Sequence, residues 1–361
     1  MSTVLFVTWD GGGNVNPVLA LAPRLAAHGV TPLGFGPPSL APRFGADGVD
    51  YVARDVPDPW DAAAMAADVR AACERTGADL AVVDYMLPGA LVGADAAGVP
   101  QVALVHTLYR GLLRDGYPGP MDMAASVETL DAAAAAAGAP PVSRMADLLD
   151  RCARVLVTCP AAFDDEGPPA AANVRHVGPV LETAGADAGW VPPAGDDPLV
   201  VVGLGTTVMD EGPVLQQVLD SLAGEPVRVL ATLGAHLDGG ELAAPGNATV
   251  SGYVRHAAVL AHAAAGVNHG GLGTVLATAA HGLPQVCIPL GREQPHNARA
   301  VARAGVGLAV DPADGAGAVR DAVREVLADP HYRKAAAALG ATITRPGEPT
   351  PAEAEILGLL A

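Results

Sequence analysis

The chain has 361 residues, which is long for one compact core and comfortable for two domains of ordinary size. Half of its residues are hydrophobic and 17% are charged, a composition that is typical of globular proteins and excludes a wholly disordered chain. The formal net charge of −18 disfavours nucleic acid and anionic lipid as partners, so a phosphate-binding site would have to be built locally.

The sequence contains no run of about 18 apolar residues, the length that a membrane-spanning helix requires. Residues 1–7 lack the basic segment of a secretory signal and lead directly into a predicted strand, so we expect a cytoplasmic protein. The four cysteines have no spacing typical of a metal site and predict reduced, mostly buried thiols. Lys334 is the only lysine, so arginines and backbone N–H groups would have to bind any phosphate.

Short β-like runs alternate with longer Ala-rich helical stretches, a pattern typical of parallel sheets covered by helices. In the first half the predicted strands are Val4–Thr8, Leu80–Val83, Gln101–Val105 and Val155–Thr158. In the second half they are Leu199–Gly203, Val227–Thr232, Gly266–Asn268, Gln285–Ile288 and Gly307–Val310. The pattern predicts two doubly wound α/β domains, which bind ligands beyond the carboxyl ends of their strands.

A glycine-rich loop, Asp10–Val15, follows the first predicted strand. The sequence then predicts a helix with Asn16 as its N-cap, Pro17 at its first position and Gly29 at its end. Because glycine has no side chain, the backbone of this loop can come close to a ligand.

The predicted domain boundary lies near residue 190, in a Pro- and Gly-containing stretch without periodicity. We assign residues 1–185 to the first domain, 186–197 to a linker and 198–345 to the second domain. A second irregular stretch precedes a helical pattern in residues 346–361, and we expect this last helix to return to the first domain.

The segment that most strongly indicates a function begins at the strand Gly266–Asn268. It continues as His269-Gly270-Gly271-Leu272-Gly273-Thr274 and then as a predicted helix. Unpaired N–H groups and the positive end of the helix dipole favour an anion at such a helix start, and glycines let a pyrophosphate approach. A tight turn with a structural histidine would give the same local pattern.

The loop after the strand Gln285–Ile288 carries Glu293 and Gln294 at the start of the next helix. A carboxylate accepts two hydrogen bonds and an amide both donates and accepts, so the pair suits neighbouring sugar hydroxyls. Glu293 could instead complement the helix dipole.

Residues 252–307 resemble the donor-binding signature of the inverting glycosyltransferases that include antibiotic, macrolide and plant natural-product enzymes. The family pattern reads H-G-G-x-G-T, G-x-P, P, D-Q and N. It is matched here by His269 to Thr274, Gly282 to Pro284, Pro289, Glu293-Gln294 and Asn297. The resemblance extends along nearly the whole chain, through Gly13-Asn14-Val15-Asn16-Pro17, Arg175 to Pro179 and Leu204 to Thr207.

The resemblance implies the GT-B fold, in which two Rossmann-like domains face each other across a cleft. It implies a UDP- or dTDP-sugar as co-substrate, a small natural-product acceptor, inversion at the sugar, and neither a metal nor another cofactor. The implied donor-binding residues are Thr206, Thr207, Tyr253, Val254, His269, Gly271, Gly273, Thr274, Glu293 and Gln294. Glu293 stands where Asp is usual, and Ala277 stands where plant members have a ribose-binding Glu.

Asn14 occupies the place of the histidine that is the family's usual catalytic base, and an amide cannot take a proton near neutral pH. Three other candidates follow predicted strands, namely Asp10, Asp84 and His106. His106 has the most suitable unperturbed pKa, about 6.5, whereas Asp84 matches the acid that orients the usual histidine. Each could equally be structural, as a helix cap, a turn residue or a buried histidine.

We hypothesise that Asn14 positions the acceptor, which would suit an acidic phenol or a carbon nucleophile and so an O- or C-glycoside. Candidate acceptor-binding residues beside it are Tyr85, Met86, Leu108 and Tyr109, with the variable stretch Leu112–Met123. The sequence leaves open a catalytically altered donor-binding partner of another transferase, a nucleotide-sugar epimerase or hydrolase, and a homodimer. A nicotinamide enzyme is rejected, because no Gly-x-Gly-x-x-Gly follows the first strand.

Overall fold

The computed structural model describes residues 1–54, 58–112, 125–164, 167, 169–181, 190–205, 211–234, 242–343 and 348–361. The chain divides into two compact units. Unit 1 consists of Met1–Leu181 with Glu348–Ala361, and unit 2 consists of Glu182–Gly347. Within the described ranges, every helix is too short or too polar to cross a bilayer. All four cysteines are buried free thiols, as their spacing predicted.

Unit 1 is built on a seven-stranded parallel sheet with the order β3-β2-β1-β4-β5-β6-β7. Its strands are β1 Thr3–Val7, β2 Thr31–Gly36, β3 Asp50–Ala53, β4 Leu80–Asp84, β5 Gln101–Val105, β6 Arg154–Val157 and β7 Val174–His176. Its helices are α1 Asn16–Ala27, α2 Ala41–Ala46, α3 Ala62–Thr76, α4 Pro88–Ala97, α5 Tyr109–Leu112, α6 Val127–Ala137 and α7 Ala146–Asp150. The central strands β4 and β5 are buried along their whole length, because helices cover both faces of a parallel sheet.

Unit 2 is built on a six-stranded parallel sheet with the order β10-β9-β8-β11-β12-β13. Its strands are β8 Leu199–Gly203, β9 Arg228–Thr232, β10 Ala248–Ser251, β11 Ala265–Asn268, β12 Gln285–Cys287 and β13 Gly307–Ala309. Its helices are α8 Glu211–Ser221, α9 His256–Leu260, α10 Leu272–Ala280, α11 Gln294–Arg303, α12 Gly315–Ala328 and α13 Pro330–Gly340. The two doubly wound sheets confirm the predicted fold class.

The strand order reverses once in each sheet, between β1 and β4 in unit 1 and between β8 and β11 in unit 2. At such a switch point the two following loops diverge to opposite faces and leave a crevice at the carboxyl ends of the strands. The glycine-rich loop after β1 and the His269 loop after β11 both lie at these points. The topology therefore places both functional candidates where doubly wound sheets bind ligands.

The last helix, α14 Pro351–Leu360, packs in unit 1. Its Ile356 is fully buried in the same apolar cluster as Leu21 and Leu25 of α1. A capping box between Thr350 and Glu353 fixes its start, because each side chain binds the other's backbone N–H. Burial and capping together explain why the chain ends on the first unit.

The start of α1 differs from its prediction, and the strands β2, β3, β7 and β10 were not predicted. Asn16 is the first residue of α1 rather than its N-cap, because a turn of 3-10 helix, Gly13–Val15, precedes it and puts Val15 in the N-cap position. The strand β2 was not predicted, since Pro32 and two glycines are poor strand residues. Gly34 is needed there, because a Cβ would lie 2.6 Å from the ring of Tyr51.

Candidate functional site

A hydrogen-bonded network at the switch point of unit 1 joins Asn14, Asp84 and His106. Asn14 Nδ2 donates to Asp84 Oδ2 at 2.8 Å, and His106 Nε2 lies 3.1 Å from Asp84 Oδ1. The backbone N–H of Met86 also donates to Asp84 Oδ1, at 3.0 Å. The three groups meet because Asp84 ends β4, His106 follows β5, and Asn14 lies in the loop after the neighbouring β1.

The network determines which nitrogen of His106 carries the proton. Asp84 is 1% exposed and, as a carboxylate, can only accept hydrogen bonds. The His106 Nε2 that faces it must therefore be protonated, so a neutral imidazole carries its lone pair on Nδ1. The ring also makes an edge-to-face contact with Tyr85, with 4.9 Å between centroids. A fixed tautomer and a fixed ring orientation are what a general base requires.

Asn14 itself is held as a structural amide. Its Nδ2 also donates to the carbonyl of Trp9 at 2.9 Å, and its Oδ1 accepts from the N–H of Gly11 at 3.1 Å. Both ends of the amide are thus engaged, so Asn14 fixes the glycine-rich loop against Asp84.

Asp10 lies apart from this network. Its side chain is exposed and accepts a hydrogen bond from Ser39 Oγ at 2.7 Å. Asp10 therefore has the position of a surface turn residue. The network contains the other three candidates, Asn14, Asp84 and His106.

Most of the predicted acceptor-binding side chains are buried. Tyr85, Leu108 and Tyr109 are 1%, 6% and 3% exposed, so they form core beneath the loops, which argues against their contact with an acceptor. Met86 is half-buried and keeps some exposed surface. The stretch Leu112–Met123 lies almost entirely outside the described residues.

An aromatic pair beside the network was missed by the sequence reasoning. The rings of Trp9 and Trp60 meet edge to face with centroids 4.9 Å apart, and both residues are half-buried. Trp9 Nε1 is buried without a hydrogen-bond partner among the described residues. The ring of Trp9 covers Gly11, where a Cβ would lie 2.4 Å from it. The available signal was Trp9, which directly precedes the predicted glycine-rich loop Asp10–Val15.

Cys159, Asp164 and His176 in unit 1 offer ligand atoms within 4.8 Å of one another. Asp164 already accepts hydrogen bonds from the N–H groups of Tyr109 and Arg110 and faces His176 Nε2 at 2.9 Å. Burial, assisted by Asp164, raises the pKa of the Cys159 thiol well above its usual range. These hydrogen bonds fasten the start of α5 to the sheet and account for the cluster.

The His269 loop connects β11 to α10 at the switch point of unit 2. Asn268 starts the turn: its Oδ1 accepts from the N–H of Gly270 at 2.8 Å, and its Nδ2 donates to Gln285 at 2.8 Å. Gly270 has a φ of 83°, a conformation that favours glycine. The turn therefore places His269 and the first turn of α10 at the carboxyl end of β11, where the strand order reverses.

The start of α10 is an open cluster of backbone donors. Gly271 is its N-cap and has no side chain that could bind the first N–H groups of the helix. Gly273 is exposed, and a Cβ there would meet nothing within 4 Å. Thr274 is half-buried beside it and adds a hydroxyl. An anion can therefore reach the positive end of the helix.

His269 is neutral at physiological pH. Burial lowers its pKa to about 4, with the backbone of Gly203 acting in the opposite direction. The ring is closely surrounded by glycines, since a Cβ on Gly271 would lie 2.5 Å from its Nε2 and one on Gly205 would lie 3.1 Å from its Cε1. A neutral imidazole in this position can donate a hydrogen bond but supplies no charge.

We expect the free energy of unfolding to rise with pH between about 4 and 6.5 on account of His269. Its pKa is about 4 in the folded protein and 6.5 unperturbed, so the unfolded state binds more protons in this window. Stability is therefore lost as the pH falls through it. His269→Gln should flatten this part of the profile, which urea unfolding at pH 5 and pH 7 measures. An equally steep pH dependence in both proteins would contradict the assignment.

The predicted sugar-binding pair divides into two different roles. Gln294 is 3% exposed, and its Oε1 accepts from the N–H groups of Leu290 and Gly291 at 2.7 and 3.2 Å. It therefore shapes the loop. Glu293 is half-buried, and its carboxylate makes no hydrogen bond or ion pair with the described residues. Of the two side chains, the Glu293 carboxylate has its acceptors unused.

The remaining predicted donor-binding residues lie in two loops. Tyr253 is 61% exposed, which suits an aromatic surface for a base, and Val254 is half-buried next to it. Thr206 and Thr207 lie outside the described residues. Gly205, which directly precedes them, has a φ of 111° and lies against the His269 ring.

Comparison with known proteins gives matches in sequence and in structure. Residues 216–358 match the family described as erythromycin biosynthesis protein CIII-like, C-terminal domain. The chain is 33% identical over 190 residues to a demethyllactenocin mycarosyltransferase of Streptomyces fradiae, a match covering 52% of this chain and 41% of that protein. It is 35% identical over 178 residues to a 4'-demethylrebeccamycin synthase of Lentzea aerocolonigenes, covering 46% and 40% respectively. The matched segments thus span about two fifths of these relatives.

The structural matches cover the whole chain. The glycotransferase of kitacinnamycin has a TM-score of 0.84 at 25% identity, covering 100% of this chain and 99% of the other. The glycosyltransferase VinC, solved in complex with dTDP, has a TM-score of 0.75 at 19% identity, covering 99% and 98%. Residues 216–358 of this chain are accordingly similar to the EryCIII-like C-terminal domain, and the chain has the GT-B fold of natural-product glycosyltransferases.

Proposed function

We propose that the chain is a glycosyltransferase that moves a sugar from a UDP- or dTDP-sugar to a small phenolic or polyketide-like acceptor. The observation that carries the proposal is the uncapped start of α10, where open backbone donors and the neutral His269 meet at a switch point. Such a site suits a diphosphate. The Glu293 carboxylate, which makes no hydrogen bond with the described residues, suits the hydroxyls of an attached sugar.

In unit 2 each part of the donor has a counterpart. The first N–H groups of α10 and the His269 ring bind the diphosphate, and the exposed ring of Tyr253 stacks on the base. Glu293 accepts hydrogen bonds from sugar hydroxyls. The chain is also 32% identical over 170 residues to a TDP-daunosamine transferase of Streptomyces peucetius, and this similarity favours dTDP as the nucleotide.

In unit 1 the base is His106, and Asp84 orients it. The carboxylate holds Nε2–H, so Nδ1 takes the proton of the acceptor as the nucleophile attacks. Asn14 fixes Asp84 from the other side instead of acting as a base. The Trp9 and Trp60 rings beside this network favour a flat aromatic or polyketide acceptor.

We expect a single displacement, in which the acceptor attacks the anomeric carbon from the face opposite to the departing diphosphate. Such a displacement inverts the configuration of that carbon. Within the described residues, the one cluster of potential metal ligands lies in unit 1, far in sequence from the donor loop. We therefore propose that the helix start and neighbouring donors, rather than a metal ion, stabilise the leaving diphosphate.

A panel of nucleotides tests the donor assignment by thermal shift. UDP, dTDP and their sugars should raise the apparent stability, since a ligand at 100 times its Kd adds about 2.7 kcal/mol to the native state. Thymidine without phosphates should stabilise much less. Stabilisation by none of the diphosphates would refute the donor site.

The enzymatic alternatives are separated by incubation with the nucleotide sugar alone. A transferase leaves the donor nearly intact until an acceptor is added, whereas a hydrolase releases free sugar and an epimerase yields a second nucleotide sugar. A chain that binds the donor but transfers nothing to any acceptor would be a catalytically altered partner. The ordered Asp84–His106 pair argues against that last possibility.

A further inference from the structure

Arg292 has an unusual backbone conformation next to the donor loop. It lies between β12 and α11, and among the described residues it is the only one other than glycine with a positive φ, 54°. A left-handed conformation costs an ordinary residue roughly 1–2 kcal/mol. Glycine would occupy the position at no such cost, so something else accounts for an arginine here.

The surrounding loop imposes this conformation. Gln294 Oε1 holds the N–H groups of Leu290 and Gly291, which closes the turn around Arg292. The strain is therefore stored in a fixed loop. Strain of this kind persists where the surrounding structure maintains it and is concentrated at functional sites.

The Arg292 guanidinium is exposed and makes no hydrogen bond or ion pair with the described part of the chain. Other arginines of unit 2 are engaged: Arg324 pairs with Glu225, and Arg228 and Arg333 bind backbone carbonyls. Glu293 follows Arg292 directly, yet the two opposite charges are not paired with each other. Within the described residues of this chain, whose net charge is −18, Arg292 and Glu293 thus present a cation and a carboxylate side by side without a bonded partner.

The loop of Arg292 packs directly on the start of α10. Asn297 Nδ2 donates to the carbonyl of Gly270 at 2.8 Å, and a Cβ on Gly270 would lie 3.0 Å from the carbonyl of Gln294. The pKa of His269 is lowered mainly by burial, and the positive charge of Arg292 lowers it further. The cation and the positive helix end therefore act on the same region.

We propose that Arg292 binds the diphosphate of the nucleotide donor and stabilises the charge that develops on it during transfer. This rests on the proposed function. A bond forms between the acceptor and the anomeric carbon as the bond from that carbon to the β-phosphate oxygen breaks. The electron pair leaves on that oxygen, where Arg292 and the start of α10 stabilise it, and the acceptor's proton passes to His106. A guanidinium matches phosphate oxygens through two parallel hydrogen bonds.

Calorimetric titration of dTDP, UDP and thymidine into the wild type and four variants tests the proposal. Arg292→Gln should weaken diphosphate binding about 10- to 100-fold, the range of a lost charge-assisted hydrogen bond, and leave thymidine binding unchanged. Arg292→Lys should recover part of the affinity. Arg292→Gly should weaken diphosphate binding equally while raising the Tm, because the strain is relieved. Arg320→Gln is the matched control for net charge, because Arg320 is a half-buried arginine of α12 that pairs with Asp321.

The outcomes separate this proposal from the proposed function. If the wild type binds neither diphosphate, the donor assignment itself fails. If the wild type binds them and Arg292→Gln binds them equally well, only the role of Arg292 is refuted. Equal weakening of thymidine and diphosphate would show that the substitution disturbs the loop, and that result also overturns the proposal.

Discussion

Replacing His106 by alanine should lower kcat by roughly 10²- to 10⁴-fold, the usual contribution of a general base. The reason is geometric, because Asp84 holds Nε2–H at 3.1 Å and so leaves the lone pair on Nδ1. Asp84→Asn should cost a similar factor, since an amide can present its N–H groups to the ring and select the wrong tautomer. Both variants need a donor and an acceptor identified by the nucleotide panel and a product assay.

The pH dependence distinguishes a base from a structural histidine. The wild-type profile of kcat should fall on the acid side as the base is protonated, and His106→Ala should lose that limb. His28→Ala is the control, because His28 is a half-exposed histidine of the same unit near Glu353. A low kcat with an unchanged acid limb would contradict a role in proton transfer.

Asn14→Ala separates positioning from deprotonation. It removes a donor from Asp84 and from the Trp9 carbonyl, and each unsatisfied buried group costs about 1–3 kcal/mol. Stability should therefore fall, while kcat falls less than in His106→Ala. A loss of turnover as large as that of His106→Ala, with the protein still folded, would return the catalytic role to residue 14.

Gly271→Ala should weaken nucleoside-diphosphate binding by roughly 5- to 150-fold, which corresponds to about 1–3 kcal/mol of overpacking. The backbone of Gly271, at φ −63° and ψ 130°, accepts alanine without strain, so the effect comes from the side chain alone. The new Cβ would lie 2.5 Å from His269 Nε2 and force the ring away from its position.

A double-mutant cycle isolates this mechanism. In a His269→Ala background no ring is left to displace, so adding Gly271→Ala should cost little further affinity. Calorimetric titration of dTDP into the four proteins measures the coupling. Additive losses would show that the Cβ added by Gly271→Ala obstructs the ligand directly and that the orientation of His269 has no effect on binding.

The central strands and the His269 loop could be predicted because their signals are local. Continuous apolar runs mark strands that are buried on both faces, and a glycine-rich start marks an open helix end. The strands β2, β3, β7 and β10 were not predicted. In β2, pairing with β1 and β3 on either side stabilises a segment whose own residues favour a strand only weakly. Tertiary pairing overrides a weak local preference.

For the catalytic candidates, too, the local sequence did not determine which side chains meet in the fold. Three of them could be placed at the ends of parallel strands, since those ends share one edge of the sheet. Which ones converge depends on the loop that follows each strand: the turn after β1 sends Asp10 to the surface and Asn14 inward. Backbone turns of this kind depend on contacts with residues distant in sequence, such as Asp84.

The sequence by itself determined the doubly wound fold class and the helix start at His269–Thr274, because periodicity and glycine spacing are properties of short segments. That Asn14 stands in the place of a catalytic histidine is implied by the family resemblance. Only the tertiary structure decided that Gln294 binds the backbone of its own loop, whereas Glu293 makes no hydrogen bond within the described part of the chain. It also decided that Arg292 is held in a left-handed conformation and that Asp84 links Asn14 to His106. These depend on which hydrogen-bonding groups are already satisfied by distant parts of the chain, and a buried polar group is committed by its neighbours in space.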